Sequence, residues 1–189
     1  RYLGALAHDM NRQAVTDVAA AVNAIGSENL ILEIYTSKSW IKGAKKNIEE
    51  SRYVRLINAK ESKEEYWHTL KDSDVLLIAY NFDEVSRAYT RHSFANKLPE
   101  CLASGAAILG YGPEGNATLE FVKEKRVGIV VNEQGQQFVQ QALLHLKNNE
   151  RSREKLASCA LELAREQFQA KDVVKRFRAY LAAGVTDRP

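Results

Sequence analysis

Two hydrophobic periods alternate along this chain. Short, mostly apolar runs at residues 1–6 (RYLGAL), 30–35 (LILEIY), 53–57, 75–79 (VLLIA), 106–109 and 127–131 (VGIVV) read as strands. The 75–79 run is apolar throughout, the pattern of a strand covered on both faces. Between these runs apolar residues recur at helical spacing. Val15, Val18, Val22 and Ile25 form one face of a helix over about 11–25, closed by Gly26. Ser62 and Glu65 make a capping box that opens a helix lasting to about Lys71. A helix of about three turns is expected after Ser93, broken at Gly105, and another over about 117–125. From about Gln136 the chain is helical: a stripe of Val139, Ala142, Leu143 and Leu146, then a charged helix from Arg151, then a last amphipathic helix with Val173, Phe177, Tyr180 and Leu181. Residues 36–51 read as a loop or a weak helix, 80–91 as a polar loop and 110–113 as a turn. Strands alternating with helices predict an α/β fold: a Rossmann-like, doubly wound parallel sheet of about six strands with helices on both faces.

Composition narrows the class. The 189 residues make a single domain large enough for a full hydrophobic core. Its 45% hydrophobic and 27% charged content is that of a soluble globular protein, with no apolar run long enough to span a membrane. The 27 Lys and Arg against 24 Asp and Glu leave a net charge of +3. That suits an anionic small ligand or a weak peripheral contact with a membrane, and excludes a dedicated nucleic-acid binder. Cys101 and Cys159 lie far apart without metal-type spacing, so free buried thiols and a reducing, cytoplasmic compartment are expected. No metal site is visible. The chain begins at Arg1 with no leader, and Arg1 reads as a cut end.

The chemistry concentrates in residues 93–109, SFANKLPECLASGAAIL. Lys97 and Glu100 fall at a spacing that puts both on one helical face, with Leu98, Cys101 and Leu102 on the other. A helix N-terminus beside the carboxyl ends of parallel strands is where anionic ligands sit. A carboxylate accepts hydrogen bonds from two vicinal hydroxyls at once, so a ribose is a natural ligand for Glu100.

The order Ser93-x-x-x-Lys97-Leu98-x-Glu100-x-Leu102-Ala103-x-Gly105, followed by an apolar strand, resembles the signature of the group 1 (family 4) retaining glycosyltransferases, S-x-P-x-K-L-x-E-x-L-A-x-G-x-P-V-[IL]. That signature belongs to the C-terminal, nucleotide-sugar-binding half of their GT-B fold. The match departs at Ala95 and Ala107, where the family commonly has proline. It departs also at His92, where many members carry the first glutamate of an E-x7-E motif.

The resemblance covers nearly the whole chain and implies a division of roles. Glu100 would hold the ribose hydroxyls, and Lys97 would place a cation on the diphosphate and stabilise the leaving oxygen. Ser93, Phe94 and Leu98 would complete that turn. Gly4 would let the first strand's end approach the donor phosphates. An arginine that usually follows that glycine is replaced by Ala5, and Arg12 is the candidate second cation. Asn58, Ala59 and Lys60 would meet the base, and Tyr80 and Asn81 would face the same crevice. The implied function is transfer of a hexose from a UDP- or GDP-sugar, in polysaccharide biosynthesis and with retention, without a cofactor or metal. Acceptor recognition would belong to a missing N-terminal domain, leaving this fragment inactive alone. The site would face the cytoplasm, at the inner side of a membrane if peripheral contact exists. Two rivals remain open: a GT-B-like nucleotide-sugar epimerase, for which only His92 is at hand as an acid–base group, and a non-catalytic interaction domain, favoured by the absent glutamate and arginine.

Overall fold

The computed structural model describes residues 1–59 and 62–186. Strands β1 (Tyr2–Leu3), β2 (Leu32–Thr36) and β3 (Val54–Asn58) form one parallel ladder, ordered β1-β2-β3. Strands β4 (Val75–Ala79), β5 (Ala107–Tyr111) and β6 (Gly128–Val131) form a second, ordered β4-β5-β6. In register, Ile34 stands opposite Tyr2 and Leu56, and Ile108 opposite Leu76 and Gly128. The ladders meet along β1 and β4. There the Leu77 N–H donates to the Arg1 carbonyl at 2.8 Å, and the Arg1 nitrogen donates to the Val75 carbonyl at 2.6 Å. Across that seam the order is 3-2-1-4-5-6, the doubly wound arrangement that the alternation of elements predicts.

The helices, in chain order, are α1 (Arg12–Ile25), α2 (Lys38–Ala44), α3 (Lys63–Lys71), α4 (Glu84–Thr90), α5 (Leu98–Ala103), α6 (Ala117–Glu124), α7 (Gln136–Asn148), α8 (Glu150–Gln167) and α9 (Ala170–Thr186). Two clusters of apolar side chains, one on each face of the sheet, hold them in place. Leu77, Ala79 and Leu109 pack with Val15, Val18 and Val22 of α1 and with Val139, Leu143 and Leu146 of α7. Leu76, Ile78 and Ile108 point the other way, onto Leu70 of α3, Leu98 and Leu102 of α5, Leu119 of α6 and Leu163 of α8. Successive strand residues alternate sides, so a strand covered on both faces must be apolar at every position. That is why VLLIA is continuous. Each fully buried leucine or isoleucine contributes about 1.5–3 kcal/mol through removal of its surface from water.

Several boundaries differ from the sequence reading. The expected loop at 80–91 contains α4, capped by Asp83, whose side chain accepts from the Ser86 N–H at 3.0 Å. Its buried positions are Ser86 and Thr90, so it carries no hydrophobic stripe to betray it. The ambiguous 36–51 stretch forms α2 in its middle. The central helix expected to run three turns is only six residues long. Residues 93–97 fold as turns instead, with Ser93 N–H on the Thr90 carbonyl and Leu98 N–H on the Ala95 carbonyl, both at 2.9 Å. Gly105, at φ +87°, then ends the element in the left-handed region. The expected turn at 110–113 begins later, because β5 continues through Gly110 to Tyr111. Ser62 caps α3 as read: its Oγ accepts from the Glu65 N–H at 3.1 Å and donates to Glu65 Oε2 at 3.2 Å.

Helix α9 leaves Phe177, Tyr180 and Leu181 exposed. No helix of the described residues is long and apolar enough to cross a membrane. Packing between β5, β6 and α6 is tightest at Gly128, where an added Cβ would lie 2.5 Å from the Ile108 carbonyl oxygen and 2.8 Å from Val122 Cγ1. Because the nearer atom is backbone, Gly128→Ala is expected to cost about 3 kcal/mol or more, from overpacking. Urea denaturation read by circular dichroism checks it.

Candidate functional site

At the carboxyl ends of the strands, beside the seam, a cavity of about 250 Å³ opens. The ends of β1, β2 and β3 supply Leu3, Gly4, Tyr35 and Ala59, helix α3 supplies Tyr66 and Thr69, and Lys97 closes the wall. A larger cavity, about 440 Å³, lies at the opposite ends of the strands. Its two arginines are engaged already: Arg1 Nε sits 2.6 Å from Glu33 Oε2, and Arg153 Nη1 donates to the Leu146 and Lys147 carbonyls. Open parallel sheets bind ligands outside their carboxyl ends, at the point where the strand order reverses. The smaller cavity is therefore the candidate site.

Lys97 is the N-cap residue of α5, yet its side chain runs back to β1. The ammonium donates to the Leu3 carbonyl at 2.8 Å and lies 4.2 Å from the centre of the Tyr2 ring, a cation–π contact. It forms no ion pair with any described residue. Burial pulls its pKa below the ordinary lysine value, with the nearby Cys101 thiol opposing. Gly4 makes this approach possible. It sits at φ +145°, and a Cβ there would lie 3.2 Å from Lys97 Nζ and 3.4 Å from the Tyr2 hydroxyl.

Glu100, one turn further on, faces a different neighbour. Its Oε2 accepts a 2.6 Å hydrogen bond from the Tyr66 hydroxyl of α3. Lys97 and Glu100 thus diverge, one toward β1 and the other toward α3, instead of lying side by side as their spacing suggests. Tyr66 lines the cavity with Lys97, whereas Glu100 is not among the lining residues and meets the cavity only through its bond to Tyr66. Sequence reasoning passed over Tyr66, although it immediately follows the Ser62–Glu65 capping box.

The loop between β1 and α1 is held on every side. Its carbonyls accept from Lys97 at Leu3, from the Tyr2 hydroxyl at Ala5 (2.5 Å) and from Arg12 Nε at Leu6 (2.9 Å). The Arg12 guanidinium also lies over the Trp40 ring of α2 at 5.8 Å. Asn81, 2% exposed, crosses from the end of β4: Nδ2 donates to the His8 carbonyl (2.8 Å) and to Ser86 Oγ (3.2 Å), and Oδ1 accepts from the Ala14 N–H (3.1 Å). All its amide groups are used within the protein. Tyr80 is buried too, its hydroxyl 2.9 Å from Thr118 Oγ1. The same Thr118 oxygen donates to the Ser93 carbonyl and accepts from the Ala95 N–H. Tyr80 and Asn81 therefore sit behind the site, positioning the loops that form it.

The other residues singled out in the sequence scatter. Leu98 is fully buried in the core. Phe94 turns away from the cavity, edge-on to Phe121 at 5.2 Å. Ser93 contributes backbone to the Thr118 network. Asn58 is exposed at the end of β3, Ala59 lines the cavity, and Lys60 lies outside the described residues. His92 is exposed. Cys101 is buried and unpaired, its thiol pushed up to about 11 by burial, which suits a core residue.

No protein-family model matches the sequence, and no curated protein does. The fold, by contrast, has close counterparts. The chain superimposes on the pneumococcal O-GlcNAc transferase GtfA, solved in complex with UDP and GlcNAc, with a TM-score of 0.68 at 19% identity, covering 98% of this chain and 35% of that one. It is similar to TarM at a TM-score of 0.66 and 14% identity, over 94% of this chain and 33% of that one. WaaG, a glycosyltransferase involved in lipopolysaccharide biosynthesis, gives 0.60 at 15% identity, over 88% and 42%. The chain thus has the fold of one Rossmann-like half of a GT-B glycosyltransferase, and spans well under half the length of these structures.

Asn81→Ala would leave the buried Ala14 N–H without its acceptor and remove the bond to the exposed residue His8. It is expected to lower stability by about 2–4 kcal/mol. A shifted urea midpoint at unchanged slope checks it.

Proposed function

We propose that the chain is the donor-binding, C-terminal domain of a GT-B glycosyltransferase and takes a UDP- or GDP-sugar at the carboxyl ends of β1–β4. One observation carries this reading: Lys97, a half-buried residue whose ammonium has no ion-pair partner among the described residues, stands on the cavity wall one turn from the Glu100 carboxylate. A buried charge without a counter-ion is costly, and a bound anion offsets that cost. The diphosphate would meet Lys97 beside Gly4, with the ribose hydroxyls on Glu100 and the base toward Ala59 and Tyr35. The presence of UDP in the complex of GtfA, whose fold this chain shares over 35% of that chain, supports a nucleotide as ligand.

The chemistry follows from charge. Departure of a nucleoside diphosphate builds negative charge on its oxygens, and a fixed ammonium in a partly desolvated site stabilises that charge more than water does. Helix α5 is too short to add much dipole. Lys97 therefore carries the electrostatic role, with Arg12 on the far side of the β1–α1 loop as the second cation. Acceptor binding, the retaining outcome and any contact with the cytoplasmic face of a membrane belong to the complete protein, with an N-terminal domain supplying the acceptor side. His92 is exposed and, like Glu100 and Arg12, is not among the residues that line the cavity.

Calorimetric titration with UDP, GDP, ADP and their sugars tests the proposal. One nucleotide is expected to bind, and Glu100→Ala and Lys97→Met are each expected to weaken it about 30-fold or more. A folded chain that binds none of them, or a Glu100→Ala variant that binds as well as the parent, overturns it.

The pH dependence has a definite sign. A bound diphosphate favours the charged lysine, so affinity is full below the depressed pKa of Lys97 and declines as pH rises through it. The decline should begin below the ordinary lysine value of 10.5. Lys97→Arg, which stays charged, is expected to flatten the profile on the alkaline side, measured by titration at each pH.

A further inference from the structure

Tyr66 belongs both to the cavity and to the carboxylate beside it. Its residue lines the cavity, and its hydroxyl donates to Glu100 Oε2 at 2.6 Å, linking α3 to α5. The ring is steadied edge-on by Trp67, with centroids 6.4 Å apart at 72°. Burial first, and then the bond to Glu100, push the phenol well above the ordinary tyrosine value, so it is a neutral donor at any pH near neutrality. A hydroxyl donating to a carboxylate is a strong, charge-assisted hydrogen bond. No described residue donates to Glu100 Oε1.

We propose that Tyr66 is a positioning residue for ribose recognition: by holding Oε2, it fixes the plane of the Glu100 carboxylate so that the group can accept two vicinal hydroxyls together. The inference rests on the reading of Glu100 as the ribose acceptor. A carboxylate has about four lone-pair sites on its two oxygens. One bond from Tyr66 leaves enough of them for the 2′ and 3′ hydroxyls, while removing the rotation that a free glutamate would lose on binding. The effect is therefore one of pre-organisation and should be confined to ligands that carry those hydroxyls.

Tyr66→Phe removes a single oxygen and keeps the ring. The parent chain and the variant are titrated calorimetrically with UDP and GDP and with the 2′,3′-dideoxy form of each, and thermal melting confirms that the variant is folded. The expected result is about tenfold weaker binding of the ribonucleotide to the variant, with dideoxy affinity within about twofold of the parent. In a Glu100→Ala background, Tyr66→Phe should cost nothing further. Equal losses for both ligand forms would make Tyr66 a wall of the cavity only and overturn the inference. Unchanged or tighter ribonucleotide binding would overturn it too, tighter binding meaning that the phenol competes for the place of a ribose hydroxyl. If the parent chain binds neither nucleotide, or binds ribo and dideoxy forms alike, the assignment of Glu100 falls and takes this inference with it. A parent that discriminates, beside a variant that discriminates equally, sinks the inference alone.

Discussion

The two ladders of the sheet are joined by main-chain hydrogen bonds between Arg1 and the Val75–Leu77 stretch, and β1 is only two residues long. So short a strand cannot by itself lock two halves of a sheet together. Side chains do the rest at its carboxyl end. Lys97 reaches from the segment before α5 to the carbonyl of Leu3, and Asn81 reaches from the end of β4 to the loop that follows β1. Each bond crosses the seam where the winding of the sheet reverses. The Lys97 contact that helps close the fold therefore also forms a wall of the candidate site.

This coincidence has an electrostatic consequence. Lys97 is held in place by a neutral carbonyl and the face of an aromatic ring, neither of which neutralises its charge. Its ammonium is partly desolvated with no carboxylate partner among the described residues, which costs stability. Such strain persists where the surroundings over-determine the geometry, and it marks functional sites in folded proteins. The first turn of α1 offers little alternative to an anion, since the Ala14 N–H is already taken by Asn81 and the Arg12 N–H by the Ala7 carbonyl.

Behind the cavity, polar residues carry position from one loop to the next. Thr118 joins Tyr80 to the backbone at Ser93 and Ala95, and Asn116, buried at the head of α6, caps that helix and bonds the Thr90 carbonyl. The segment that delivers Lys97 and Glu100 is thus tied to β4, α4 and α6 at once. A buried polar network of this kind is stable only when each member has its partners, so its members are as constrained as the apolar core.

The sequence by itself determined the layered architecture. Burial leaves a local, periodic trace: a continuous apolar run for a strand covered on both faces, a 3.6-residue stripe for a helix covered on one. The Ser62 capping box and the break at Gly105 were legible for the same reason, because each acts within a few residues. Lys97 and Glu100 could be picked out as a cation and a carboxylate close to a chain reversal. Helix α4 was not legible, because its buried face is made of Ser86 and Thr90. Nor was the divergence of Lys97 and Glu100, nor the withdrawal of Asn81 and Tyr80 into the interior. Those depend on contacts between residues distant in the chain, 94 positions apart for Lys97 with Leu3 and 34 for Tyr66 with Glu100. Such contacts leave no periodicity to read, and only the tertiary packing of β1, α3 and α5 around one cavity decided them.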